Sequence, residues 1–196
     1  MLTSMGFLSQ CRQLLSRSAP STTLQQALDV AESGDAEAQF GLGLKYSSDS
    51  EDSRDLVRAA GWYRRAAEQG HALAQFNLGV MLADGQGIEQ DADAALAWNQ
   101  RAAEHGDPGA QFALGMRCHR RSAQHHAQDR RESRVEAYKW FHLAADQGYF
   151  GSDAACERLT LDMSHEEVAL GNRRVADFVA CHPLVPAPNP PDMNPK

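Results

Sequence analysis

Four side chains of the kind that bind transition metals fall within nine residues of this chain: Cys118, His119, His125 and His126. Thiolate and imidazole are the usual zinc ligands, and a structural site closes with four of them. Adjacent histidines without a second cysteine pair suit a polar, water-facing loop better than a closed coordination sphere. No metal and no cofactor is expected. The same stretch is basic, with Arg117, Arg120, Arg121, Arg130, Arg131 and Arg134 against two acids. Arg120, Arg121, His125, His126, Arg130 and Arg131 are therefore candidate contacts for an acidic partner or a phosphate. The plainer reading is a solvated charged surface.

Other patterns carry less chemistry. His165-Glu166-Glu167-Val168-Ala169 lacks the second histidine of a zinc-protease helix. Preceded by Ser164, it has the serine-x-x-glutamate spacing of a capping box instead. Asp84-Gly85-Gln86-Gly87 is no phosphate cradle, since no strand precedes it and no lysine follows. No serine or cysteine sits in a nucleophile elbow. No catalytic residue is assigned, and the chain is expected not to be an enzyme.

The elements that position these residues follow from composition and periodicity. The chain is 42% apolar but only 7% aromatic, and rich in alanine, which suits helices packed closely through small side chains. Its net charge of −7 argues against nucleic acid as a partner. No apolar run reaches the ~20 residues of a membrane span. Cysteines at 11, 118, 156 and 181 form no CxxC pattern and read as reduced thiols, so a cytoplasmic location is expected. Arg12 and Arg17, with no acid before Asp29, have the composition of a transit peptide. Leu8, Cys11, Leu14 and Leu15 also form the apolar stripe of a short capping helix, the reading preferred here.

Self-similarity is the dominant signal. Ala38-Gln39-Phe40-Gly41-Leu42-Gly43 recurs as Ala74-Gln75-Phe76-Asn77-Leu78-Gly79 and as Ala110-Gln111-Phe112-Ala113-Leu114-Gly115. A second block begins at Trp62, Trp98 and Trp140 and runs into Ala-Ala-Glu-Gln or a close variant. The units are 34–69, 70–105 and 106–147, the third longer by six residues. Gln39, Leu42, Gly43 and Tyr46 share one helical face, as do Ala59, Trp62, Tyr63 and Ala66. Each unit is thus a helix-turn-helix that cannot bury its apolar face alone but can against its neighbours. The tryptophans are expected to fill the space between helices.

These units resemble Sel-one-like repeats, a branch of the tetratricopeptide-like superfamily. The match is fullest over 70–106, where Asp84-Gly85-Gln86-Gly87-Ile88 supplies the glycine loop and Ala95 and Trp98 the second helix. The first unit has Ser47-Ser48-Asp49-Ser50-Glu51-Asp52-Ser53 in place of that loop. The third has no loop glycine, and its insertion should lengthen the helices or project as a loop. The resemblance implies an all-α fold, a right-handed α/α superhelix or α-solenoid. It also implies an adaptor or scaffold, often bacterial, that binds a protein or peptide partner through its concave face; self-association is a further possibility. The alternative is a metal- or anion-binding regulator that uses the insertion.

The remaining segments read as ends. Residues 1–33 should form N-terminal capping helices, with Ser21 as an N-cap, and 148–182 a partial repeat and a C-terminal capping helix. Residues 183–196 hold six of the eight prolines and read as a disordered tail, with a loose PxxP spacing at Pro183 and Pro186. On the first helix of each unit, the positions beside the core stripe are Phe40 and Leu44, then Phe76, Asn77 and Val80, then Phe112, Met116 and Arg117. They are the expected partner-binding groove. The phenylalanines would form its apolar ladder if exposed, and would be packing residues if not.

Overall fold

The computed structural model describes residues 24–48, 53–123 and 127–182, without the side chains of 127 and 128. The expected N-terminal helix around Leu8, the loop positions 49–52, the histidines 125 and 126 and the tail all lie outside these residues. The described residues hold helices and no strand. After α1 (Leu24–Glu32) come three helix pairs: α2 (Ala36–Ser48) with α3 (Ser53–Glu68), α4 (Ala72–Asp84) with α5 (Ala92–Glu104), and α6 (Pro108–Ser122) with α7 (Ala127–Asp146). Helices α8 (Ser152–Leu161) and α9 (His165–Cys181) close the array. Helices adjacent in sequence pack on one another from α1 through α8, and α9 lies against α7. This is an α-solenoid.

Local signals explain the boundaries. Asp91 accepts from the amides of Asp93 and Ala94 and opens α5. Asp107 accepts from the Ala110 amide at 2.6 Å, with Pro108 following in the first turn, where no N–H is needed. Ser164 and Glu167 form both bonds of the capping box expected for α9. Gly106, at φ 91°, reverses the chain between α5 and α6 in a backbone region that side chains disfavour.

Within a unit, the glycine of the Leu-Gly pair is the packing key. A Cβ on Gly43 would stand 2.4 Å from the Tyr63 ring, and one on Gly115 2.5 Å from the Phe141 ring. The aromatic ring lies where a side chain would be. This corrects the expectation for the tryptophans. The residue that meets the first helix is the one after each tryptophan, because one position turns the side chain by about 100°. Trp140 is buried, but Trp62 and Trp98 are half-buried. The Arg65 and Arg101 guanidinium groups cover those two rings at 4.6 and 4.8 Å.

The six extra residues of unit 3 go largely into helix length. Helices α6 and α7 have 15 and 20 residues, against 13 each for α4 and α5. The added turns of α7 seat α9, which carries its own Leu170-Gly171 pair. A Cβ on Gly171 would lie 2.4 Å from the Tyr138 ring, so α9 docks on α7 by the contact that joins two helices within a unit. Because α9 leaves α8 largely uncovered, Phe150 and Leu161 remain 91% and 86% exposed.

Candidate functional site

Stacking units of one period places equivalent positions of successive first helices side by side. Leu44, Val80 and Met116 are 36 residues apart in turn. Leu44 is half-buried, while Val80 and Met116 are 38% and 40% exposed. Leu44 packs against the core of units 1 and 2, whereas Val80 and Met116 are apolar side chains left in water at one register of successive first helices, a candidate strip for a partner. Asn77, one turn before Val80, is half-buried, and Arg117 is exposed.

The phenylalanines of the expected ladder stand elsewhere. Phe40 is 7% exposed and stacks on the His71 ring at 4.5 Å. Phe76 is half-buried, with its ring edge 3.4 Å from where a Cβ of Gly109 would be. Phe112 is half-buried between Phe141 and Tyr149, at 5.5 and 5.4 Å. Each ring meets residues that open the next unit. The phenylalanines are junction residues, and Phe40 is not available as an exposed rung. The cause is geometric: a first helix is covered on two sides, by its own second helix and by the following unit.

The junctions also hold a polar device that sequence reasoning missed. Gln39, Gln75 and Gln111 are all buried. Their Nε2 groups donate to the carbonyls of Ala31, Ala67 and Ala103 at 2.9, 3.0 and 3.1 Å. Those carbonyls end the preceding second helices, or α1 in the first case, and each also accepts from the amide of the glycine three residues on, Gly34, Gly70 or Gly106. Each glutamine Oε1 accepts in turn: from Gln69 at 2.7 Å, from His105 Nδ1 at 2.8 Å and from Gln147 at 2.9 Å. Since Gln75 already uses its amide N–H, His105 must carry its proton on Nδ1. The signal that could have found this is a polar residue repeated three times inside an apolar stripe.

Asp107 is the most perturbed acid. It is 4% exposed at the junction of units 2 and 3, and burial pushes its carboxyl up to about 6 against the Ala110 and Gly109 amides, which pull it down. The glycine loop has a packing role as well. A Cβ on Gly87 would fall 2.3 Å from the Leu56 carbonyl carbon, so the loop rests directly on the backbone of α3.

The basic insertion is partly spoken for. Arg131 reaches Glu166 at 3.5 Å, and the Arg134 guanidinium holds the buried Glu167 carboxylate. Burial alone would raise Glu167, but the Ser164 amide and Arg134 bring it below the usual carboxylate range. Arg120, Arg121 and Arg130 are exposed. Of the metal-binding candidates, Cys118 is half-buried and His119 exposed. Burial pushes the Cys118 thiol up, away from the thiolate form that a metal takes. Among the described residues no three His, Cys, Asp or Glu side chains gather as a metal site. No described helix is long and apolar enough to cross a membrane.

Comparison with known proteins gives a consistent frame. The Sel1 repeat pattern matches residues 36–71, 72–107 and 108–149, the same units shifted by two residues. The secretory immunoglobulin A-binding protein EsiB of Escherichia coli is 46% identical over 43 residues, 22% of this chain and 9% of that protein. A protective antigen of uropathogenic Escherichia coli with an SLR fold superposes with TM-score 0.65 at 25% identity, over 88% of this chain and 37% of its own. A Sel1 repeat protein from Oxalobacter formigenes gives TM-score 0.50 at 36% identity, over 63% of this chain and 49% of its own. The chain thus spans less than half the length of each of these relatives.

Proposed function

Because this chain belongs to the Sel1 repeat family, whose members mediate protein–protein interaction on a non-enzymatic scaffold, we propose that it is an adaptor binding a protein partner across its first helices. The observation that carries this reading is the exposure of Val80 and Met116 at the same register of consecutive units. An apolar side chain left in water at one repeated position costs solubility unless something covers it. The immunoglobulin binding of the Escherichia coli relative does not transfer, since the shared 43 residues are only 9% of that protein. Regulation through the insertion is the weaker reading, because Arg131 and Arg134 already hold acids of α9. A cytoplasmic location remains part of the proposal, supported by three unpaired cysteines at 118, 156 and 181.

The test is affinity purification of the tagged chain with mass spectrometry of what accompanies it, for the parent and for the pair Val80→Glu and Met116→Glu. Both positions are exposed, so the helical signal and melting temperature should barely move. The partner should be lost. Its undiminished recovery with the double variant would rule out the strip as the binding surface.

A further inference from the structure

Among the described residues α1 is a second helix without a first. It holds the register of α3 and α5, because the Ala31 carbonyl accepts from the Gln39 side chain as Ala67 and Ala103 do from Gln75 and Gln111. Helices α3, α5 and α7 each pack between two first helices, their own and the next, whereas α1 packs on the next one, α2. Its apolar positions show the gap. Leu24 and Val30 are 44% and 47% exposed, while Ala60 and Ala66 at the same register of α3 are 4% and 0%. Ala27 holds the place of Tyr63, whose ring meets Gly43 of its own first helix. On α2, Ala38 is half-buried where Ala74 and Ala110 are buried. A large apolar side chain left in water where other units bury alanine calls for a cover.

We propose that residues 1–23 supply the absent first helix, laying Leu8, Cys11, Leu14 and Leu15 over Leu24, Ala27 and Val30 and so completing a fourth unit. Length allows it. In unit 2 a 13-residue first helix and the loop 85–91 precede the second helix, and the 23 residues before Leu24 are enough for both. The apolar stripe ends ahead of Pro20 and Ser21, residues that suit the connecting loop. Charge selects this occupant. Residues 1–23 hold Arg12 and Arg17 and no acid, whereas 24–44 hold Asp29, Glu32, Asp35 and Glu37 and no base. A second copy is the rival cover, and charge opposes it. Its open α8 presents exposed Asp153 and Glu157 against Arg158, and its own α1 is as acidic as the first. The joined segment is also held beside α1 at a high effective concentration, which a separate molecule is not.

Cys11 lies in the proposed stripe and reports its cover. Iodoacetamide is added to the full chain and the labelling rate of each cysteine is read by mass spectrometry, with exposed Cys181 as the internal standard. Cys11 should react roughly tenfold more slowly than Cys181, as a thiol behind a local opening equilibrium does. Leu14→Glu with Leu15→Glu should bring Cys11 to the Cys181 rate and lower the melting temperature by several degrees. These changes leave α1 and the three units untouched, so Cys118 and Cys156 should label as in the parent. Leu24→Glu with Val30→Glu, made on the other side of the contact, should free Cys11 equally, whereas Val80→Glu with Met116→Glu should not. Cys11 as reactive as Cys181 in the parent would overturn the proposal, and so would protection that survives Leu24→Glu with Val30→Glu in a folded chain. Protection that fades on dilution, as the chain passes from dimer to monomer in sedimentation, would give the face to a second copy instead.

Discussion

In unit 2 the residue after the tryptophan is Asn99; in unit 3 it is Phe141. Both face the glycine of the Leu-Gly pair on their own first helix, Gly79 and Gly115. Phe141 is 1% exposed and touches Phe112 as well. The Asn99 Oδ1 is shut away from solvent with no hydrogen-bond partner. Trp98 is half-buried under Arg101, while Trp140 is buried and meets the Phe178 ring of α9 edge-on at 5.4 Å. Unit 2 follows the repeat pattern most faithfully, and unit 3, with its insertion and missing loop glycine, departs furthest. Yet unit 3 has the better filled interior. A repeat pattern records what every unit needs to stack; the residues outside the pattern decide how tightly a given unit is held.

The largest test of that contrast compares two truncations by urea unfolding. Phe141→Ala should cost about 3–5 kcal/mol, the range for emptying a core aromatic site. Trp98→Ala should cost about 1–2 kcal/mol, since a half-buried ring gives up less area. Equal losses would mean that the units are equally packed.

Next in size is a pH effect at the boundary between the two units. Asp107 in the folded chain is pushed up to about 6 from 3.8, so between about pH 4 and 6 the fold binds more protons than the unfolded chain. Stability therefore falls as pH rises through that window and stays lower above it. Asp107→Asn keeps a capping oxygen without the buried charge. The variant should be more stable than the parent by about 1–3 kcal/mol at pH 7–8, with the difference vanishing towards pH 4. A constant difference across the range would show that the buried charge is not its source. The same change at exposed Asp35 serves as the control.

The smallest effect sharpens the comparison from the other side. Asn99→Phe should stabilise unit 2 by about 1 kcal/mol, by removing an unpartnered amide and placing a ring over Gly79. Tyrosine should gain less there. The Tyr63 hydroxyl of unit 1 bonds Ser47 at 2.9 Å, and Ala83 stands at the equivalent place in unit 2. Loss of stability in Asn99→Phe would show that α4 and α5 cannot part as α6 and α7 do.

Much of this architecture was readable from spacing alone. The recurrence of Ala-Gln-Phe-x-Leu-Gly is enough to define the units, and Ser164 with Glu167 marks the start of α9. The errors lay in which way particular side chains turn. Trp62 and Tyr63 both fit an apolar face, and only the close approach of Gly43 decides that the tyrosine is the inner one. Phe40 looked like the edge of a groove because its second neighbour, the following unit, is invisible in a single-helix projection. Gln39 fits the apolar stripe of its helix, but the glutamine bonds join residues of different helices that no local pattern places together. The exposure of Val80 and Met116 follows from a repeated period, whereas Leu44 at the same register packs against the core of units 1 and 2.

The glutamine bond also bears on how one unit of such an array is joined to the next. Each new first helix is clipped to the carbonyl end of the second helix behind it by one side-chain amide, and the clip recurs at Gln39, Gln75 and Gln111. At the next register, on α8, stands Asp153, exposed to solvent. A carboxylate has no N–H to offer a carbonyl. Helix α8 is therefore held against α7 without the clip, and α9 also lies against α7. In the language of linear polymers, Asp153 is a missing link: this register lacks the hydrogen-bond donor that joins the units before it.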